Sequence, residues 1–238
     1  MERQTDCCQY IGLSEEFPCL SEQGLGWENV MNDKKQQVTP KMYYGELYPK
    51  LQKGEKALLQ LLETYPVKET KDGIEPIIYL QSRIKNPGSL EEKLQRKGLD
   101  VPTECVYSVI HDVIGIRIVC SFIEEVYHVA DWICRQPMFC VLEKKDYISY
   151  PKENGYRSLH LILKFAGEEW DGLTVEIQIR TISHDFWAAL EHQIKYKKHV
   201  THEMIVQGEL KRCADEIASL DVSLQTIRDI IREDKWEI

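Results

Sequence analysis

Apolar and polar residues alternate at period two in several short stretches, and between them the apolar residues recur every three to four positions. Alternation predicts half-buried strands and the longer period predicts helices with one apolar stripe. Strands are expected at 78–85, 113–122, 138–146, 156–165 and 173–181, and helices at 89–97, 123–136 and 183–197. A further helix should open at Thr39-Pro40, with Thr39 as cap and Pro40 at the first helical position. It should run with breaks to about Tyr65, ahead of Pro66, and VKETKDGIEP (67–76) reads as a polar connector. Because strands and helices interleave, the economical architecture is α+β, with one mixed sheet of about five strands and helices packed on it. Near the C-terminus, Leu210, Cys213, Ile217, Leu220, Leu224, Ile227 and Ile231 recur at alternating steps of three and four. This heptad seam fits a subunit contact and packing on its own domain equally well. The expected organisation is an N-terminal extension, partly ordered at best, over 1–38, a central domain over 39–200, and an amphipathic helix over 201–238.

Composition narrows the class. With 43% hydrophobic and 29% charged residues, the chain reads as an ordinary globular protein able to bury one good core. No apolar run approaches the roughly 20 residues that cross a bilayer. MERQTD at the start lacks a basic region followed by an apolar core, so a cytoplasmic location is expected. The net charge of −9 argues against a broad electrostatic nucleic-acid binder while permitting one local basic pocket. The eight cysteines include no C-x-x-C pair, and all are expected to be reduced and free of metal.

Three strands and one helix carry candidate chemistry. In ENGYRSLHLILKF (153–165), Leu159, Leu161, Leu163 and Phe165 form a core face, leaving Tyr156, Ser158 and His160 opposite. In TVEIQIRT (174–181), Val175, Ile177 and Ile179 face the core, leaving Glu176, Gln178 and Arg180 opposite. If these strands are neighbours, one open face collects Tyr156, Ser158, His160, Glu176 and Gln178. A carboxylate beside a histidine and an aromatic ring is a candidate general base or metal ligand. HDVIGIRIVCSF (111–122) puts Gly115 and Arg117 on its open face, with Asp112 at the wrong parity unless it sits in the turn or a bulge re-aims it. Asp112 and Glu176 together would suit Mg²⁺, which takes one or two carboxylates plus substrate phosphates, although an Asp at a strand start is also ordinary surface. In SRIKNPGSLEEKLQRKG (82–98), Ser89-Leu-Glu-Glu92 reads as a capping box opening a helix. Arg83, Lys85, Lys93, Arg96 and Lys97 surround that helix start, and in an acidic chain this concentration favours a polyphosphate cradle over a solvated face. No G-x-x-x-x-G-K-[ST] loop is present, so a P-loop enzyme is not supported. A phosphate cradle, two acids and an aromatic face together suggest phosphoryl-type transfer, in which positioning and charge neutralisation do most of the catalysis.

These blocks, with DYISYPKENGYRSLHLIL and VEIQIRTISHDFWAALEHQIKY, resemble in order the synthetase domain of RelA/SpoT-type alarmone synthetases over roughly residues 40–200, the small, synthetase-only class above all. The resemblance implies a nucleotidyltransferase-like mixed sheet and Mg²⁺-dependent transfer of pyrophosphate from ATP to the 3′-hydroxyl of GTP or GDP, giving (p)ppGpp in the stringent response. By position it makes Arg83 and Arg117 a clamp on adenine, and Lys85, Ser89, Lys93 and Arg96 contacts to ATP phosphates. Asp112 and Glu176 would hold Mg²⁺, with Glu176 also the base for the 3′-hydroxyl. Tyr156 would stack on guanine, while Lys152, Asn154, His160 and Gln178 would contact the acceptor's ribose and phosphates, with Glu191 near the acceptor. Gly88 departs from the family's larger residue before the serine. The C-terminal helix makes a homo-oligomer, a tetramer among the options, an expectation of the same reading. Two other functions compete: a toxic relative that modifies the tRNA 3′ end or makes adenosine alarmones, and a non-catalytic regulatory or RNA-binding module. Apart from Lys195, Lys197, Lys198 and His199 the chain offers little for tRNA phosphates, and the retained acids and cradle argue against a non-catalytic module.

Overall fold

Thr39 caps the first helix, its hydroxyl accepting from the Met42 amide at 3.4 Å, and Pro40 follows at the first helical position. That helix, α1, is short (Pro40–Tyr44), and it ends at Gly45, whose φ of +50° breaks the run before α2 (Leu47–Leu62). The computed structural model describes residues 38–66, 74–103, 106–196 and 202–234. Residues 1–37 of the expected 1–38 extension, most of the 67–76 connector, and Lys197, Lys198 and His199 lie outside the described residues.

Beyond α2 the order is β1 (Ile77–Ile84), α3 (Pro87–Lys97), α4 (Val106–Val109), β2 (Ile114–Cys120), α5 (Ile123–Cys134) and β3 (Phe139–Asp146). There follow β4 (Leu159–Phe165), a single 3₁₀ turn (Glu168–Trp170), β5 (Thr174–Thr181), α6 (Ile182–Tyr196) and α7 (Glu203–Asp234). The five strands form one mixed sheet in the order β1-β2-β5-β4-β3. Only β2 and β5 run parallel; the other neighbours are antiparallel.

Strand alternation sorts the two faces as the hydrophobic pattern requires. Ile114, Ile116, Ile118, Leu159, Leu161, Leu163, Val175, Ile177 and Ile179 are all buried on the core side, together with Leu51 and Leu58 of α2 and Val126, Val129 and Ile133 of α5. Each such side chain contributes about 1.5–3 kcal/mol relative to exposure. Helix α2 reaches the sheet at Gly54, where an added Cβ would come within 2.6 Å of Leu173 and 3.1 Å of Ile114. A side chain there would force the Leu173 side chain or the helix to shift.

Two local expectations change. The cap of α3 is Asn86, whose side chain accepts from the Gly88 amide at 2.8 Å, with Pro87 at the first helical position. Ser89 therefore lies inside the first turn instead of capping it. Ser158 is also turned inward: β4 begins after it, it is fully buried, and its hydroxyl donates to the Ile179 carbonyl at 3.1 Å.

The heptad seam of α7 splits in two. Leu210, Cys213 and Ile217 pack inward with Ala214, and the Trp187 indole donates to the Leu210 carbonyl at 2.9 Å. Further along, the inward side becomes polar: Asp221 accepts from Thr181, and Arg228 and Arg232 pair with Glu124 and Glu125 of α5. The apolar seam then faces outward, with Leu220 53%, Leu224 40%, Ile227 53% and Ile231 45% exposed.

Candidate active site

Register assembles the candidate residues into rungs across the open face. One rung runs Arg83–Gly115–Glu176–Ile162, and the next runs Gln81–Arg117–Gln178–His160–Lys145. Strands β4 and β5 are thus neighbours, and Glu176, Gln178, His160 and Arg117 share one face.

Asp112 resolves its parity problem by lying in the turn before β2. Its Oδ2 accepts from Lys85 at 3.0 Å and from Lys93 at 2.8 Å. Lys85 is held in place by its own backbone, which donates to Val113 at 2.8 Å and accepts from the Tyr44 hydroxyl at 2.7 Å. Burial alone would raise the Asp112 pKa, but the two ammonium groups overcome it and hold the carboxyl below its ordinary range. Its other oxygen, Oδ1, is buried without a hydrogen-bond partner. A buried, ionised oxygen of this kind next to a second acid is chemically fitted to a hard cation. Glu176 is that second acid, close enough for the two charges to repel. Ser89 and Lys93 lie one turn apart on α3; Arg83 and Arg96 are exposed, and Arg96 joins no ion pair among the described residues.

A hydrogen-bonded chain links the acceptor face to Glu176. The Tyr156 hydroxyl lies 2.9 Å from His160 Nε2, and His160 Nδ1 lies 3.0 Å from Glu176 Oε1. A carboxylate only accepts, so Nδ1 carries a proton, and in the neutral ring Nε2 accepts from the tyrosine. Burial would raise the Glu176 pKa, yet the His160 hydrogen bond wins and keeps the group ionised below the usual range. The Tyr156 ring is flanked by the Lys152 ammonium, 5.0 Å from its centroid, and by the Arg180 guanidinium at 5.6 Å. Asn154 shapes the turn that presents it: its Oδ1 accepts from the Tyr156 amide at 3.2 Å, and its Nδ2 donates to Glu191 Oε1 at 2.9 Å. Gly155, with φ +89°, lets the same turn approach α7, since an added Cβ would meet Ala214 at 2.5 Å.

Sequence reasoning assigned no role to Tyr147, Arg180 or Asp185. Tyr147 packs edge-on against both His160 and Tyr156. Arg180 shares the parity of Glu176 and Gln178 and donates to Gln178 Oε1 at 2.7 Å. Asp185 opens the DFWAALEH block, and its place as the acid of the first turn of α6 was the available signal. A separate group of acids and a histidine, Glu124, Glu125 and His128, is engaged by Arg228 and Arg232 and reads as an ion-pair network. Among the described residues, no helix is long and apolar enough to cross a membrane.

The profile described as "Region found in RelA / SpoT proteins" matches residues 82–201. GTP pyrophosphokinase YwaC of Bacillus subtilis (strain 168) is 40% identical over 159 residues, covering 66% of this chain and 76% of that protein. Among solved structures, the small alarmone synthetase 1 of Bacillus subtilis bound to its product pppGpp is 31% identical with a TM-score of 0.67, covering 78% of this chain and 96% of that one. The same synthetase bound to AMPCPP is 29% identical with a TM-score of 0.61, covering 79% and 96% respectively.

Proposed function

The chain belongs to the RelA/SpoT family, and from that premise we propose that it transfers pyrophosphate from ATP to the 3′-hydroxyl of GTP or GDP, making (p)ppGpp. The observation that carries this reading is the position of Glu176. It stands on one open sheet face between the Lys85–Asp112–Lys93 cluster and the Tyr156–His160 chain.

On this reading the donor half binds ATP. Arg83 and Arg117 hold adenine, and Lys85, Ser89, Lys93 and Arg96 take the phosphates, with the first turn of α3 adding its helix-terminal field. In the acceptor half, guanine stacks on Tyr156 by displacing the exposed Lys152 from the ring. Lys152 then joins Asn154, His160 and Gln178 on ribose and phosphates, and Glu191 steadies Asn154. The acceptor's 3′-oxygen bonds to the β-phosphorus of ATP, the bond from that phosphorus to the α-bridging oxygen breaks, and AMP leaves with the electron pair. Glu176, already ionised, takes the 3′-proton, and His160 holds its carboxylate toward the acceptor. Asp112 Oδ1 and Glu176 would hold Mg²⁺, which supplies charge neutralisation on the transferring phosphates when bound. The outward apolar seam of α7, Leu220, Leu224, Ile227 and Ile231, supports a homo-oligomer formed through this helix.

The test is transfer from labelled ATP with GTP, GDP, ATP or tRNA as acceptor. Label should enter the guanine nucleotides. Label confined to tRNA or to adenine nucleotides would overturn the proposal in favour of a toxin-type relative.

A further inference from the structure

We propose that Asp185, which lies in neither nucleotide subsite, is the positioning residue that holds the donor and acceptor halves of the site in register. The proposal rests on the assignment of those halves above. Asp185 is buried in the first turn of α6, where the Thr181 hydroxyl accepts from the His184 amide and fixes the entry of the helix. From there the carboxylate meets side chains of three adjacent strands. It accepts a hydrogen bond from Tyr79 of β1, and its Oδ1 lies 3.3 Å from Arg117 of β2 and 3.5 Å from Arg180 of β5.

The two arginines lead in opposite directions. Arg117 belongs to the donor half. Arg180 serves the acceptor half: it donates to Gln178 at 2.7 Å and its guanidinium lies against the Tyr156 ring. Both cations are largely removed from water, Arg180 to 1% exposure, and they repel each other strongly enough that burial and Arg180 push the Arg117 pKa down to about 10. Asp185 is the one counter-charge of Arg180 among the described residues. A buried cation that loses its partner is strongly disfavoured and moves or releases its contacts. With Asp185 neutral, Arg180 would withdraw from Tyr156 and Gln178, and its uncompensated charge would displace Arg117. One residue would then loosen both subsites without contacting either nucleotide.

Binding of AMPCPP and of GTP to the purified protein, measured separately by calorimetry, tests this alongside the KM values for ATP and GTP. Asp185→Asn should weaken both nucleotides by roughly tenfold or more. Arg180→Met should weaken GTP and leave ATP within about threefold. The decisive variant combines them. Adding Arg180→Met to Asp185→Asn removes the cation that repels Arg117, although Arg117 still lacks Asp185, so ATP binding should recover in part while GTP stays impaired. A residue that merely supported the fold would instead give damage that adds for both nucleotides. Asp185→Glu keeps the charge and should recover most of both affinities, which covers the case in which the asparagine variant does not fold. The proposal is overturned if Asp185→Asn shifts neither nucleotide or only one, or if the double variant fails to recover ATP. Failure of the wild-type protein to transfer pyrophosphate to GTP would instead defeat the functional assignment, since the binding measurements do not depend on turnover.

Discussion

Replacing Tyr156 separates recognition of the acceptor from support of the base. Stacking alone would leave Tyr156→Phe near wild type, because the π-face survives. The structure predicts otherwise, since the hydroxyl is the partner of His160 Nε2 at 2.9 Å and His160 Nδ1 is in turn 3.0 Å from Glu176. Without the hydroxyl, His160 can carry its proton on Nε2, turning the Nδ1 lone pair toward the Glu176 carboxylate and pushing the base out of line. The lost hydrogen bond is worth about 0.5–1.5 kcal/mol, so kcat should fall roughly twofold to tenfold, with the KM for GTP held within about twofold. Tyr156→Ala loses the stacking surface as well, worth about 1–3 kcal/mol per base. Its kcat/KM for GTP should therefore drop a further roughly fivefold to hundredfold. Steady-state kinetics with each nucleotide varied in turn reads both effects, and the KM for ATP should barely move. A phenylalanine variant with wild-type kcat would refute the hydrogen-bonded chain. Equal weakening toward ATP and GTP would mean that Tyr156 supports the fold.

Glu176→Gln should abolish transfer while AMPCPP and GTP binding, followed by calorimetry, stay within about threefold; residual turnover near wild type would sink the base assignment. Lysine at Leu220 and Ile227 should lower the mass seen by light scattering while the protomer keeps its helical circular dichroism, because both side chains are exposed in the protomer; an unchanged mass would leave the seam without a subunit role. Burial, with Arg157 and Arg180 nearby, pushes the His184 pKa down to about 4 despite Asp221 at 3.4 Å. Between about pH 6.5 and about 4 the unfolded chain therefore binds a proton that the folded one refuses, so Tm should fall with pH across that window and His184→Gln should flatten the slope. The depressed carboxyls of Asp112 and Glu176 act lower: their contribution is full above the ordinary carboxylate pKa and is lost as pH falls from there through their folded values.

Period-two alternation was enough to place the five strands and to sort their faces, because a one-residue slip would move every isoleucine of β2 or β5 to the wrong side. It also delivered Glu176, Gln178, His160 and Arg117 to a common face once β4 and β5 were neighbours. Local capping chemistry was less decisive. The Ser89 capping box gave way to Asn86, whose side chain reaches the Gly88 amide with Pro87 at the first helical position. Ser158 failed for a different reason: alternation assumes a regular strand, and at 158 the chain has not yet entered β4. In α7 a single seam hid two environments, since Asp221 takes the inward side by hydrogen bonding to Thr181 and Arg228 and Arg232 by ion pairing, while the apolar residues face out. Asp185 was invisible to periodicity, as its meaning depends on β1, β2 and β5 converging on the first turn of α6.

The central claim is that this sheet face moves a pyrophosphoryl group onto a guanine nucleotide's 3′-oxygen. ATP labelled at the β-phosphate, incubated with GTP or with 3′-deoxy-GTP, tests it most directly. With GTP, the label should appear in the guanine product and the donor should be recovered as AMP. With 3′-deoxy-GTP no labelled product should form. Recovery of ADP, or transfer of label to the 3′-deoxy acceptor, would contradict the account.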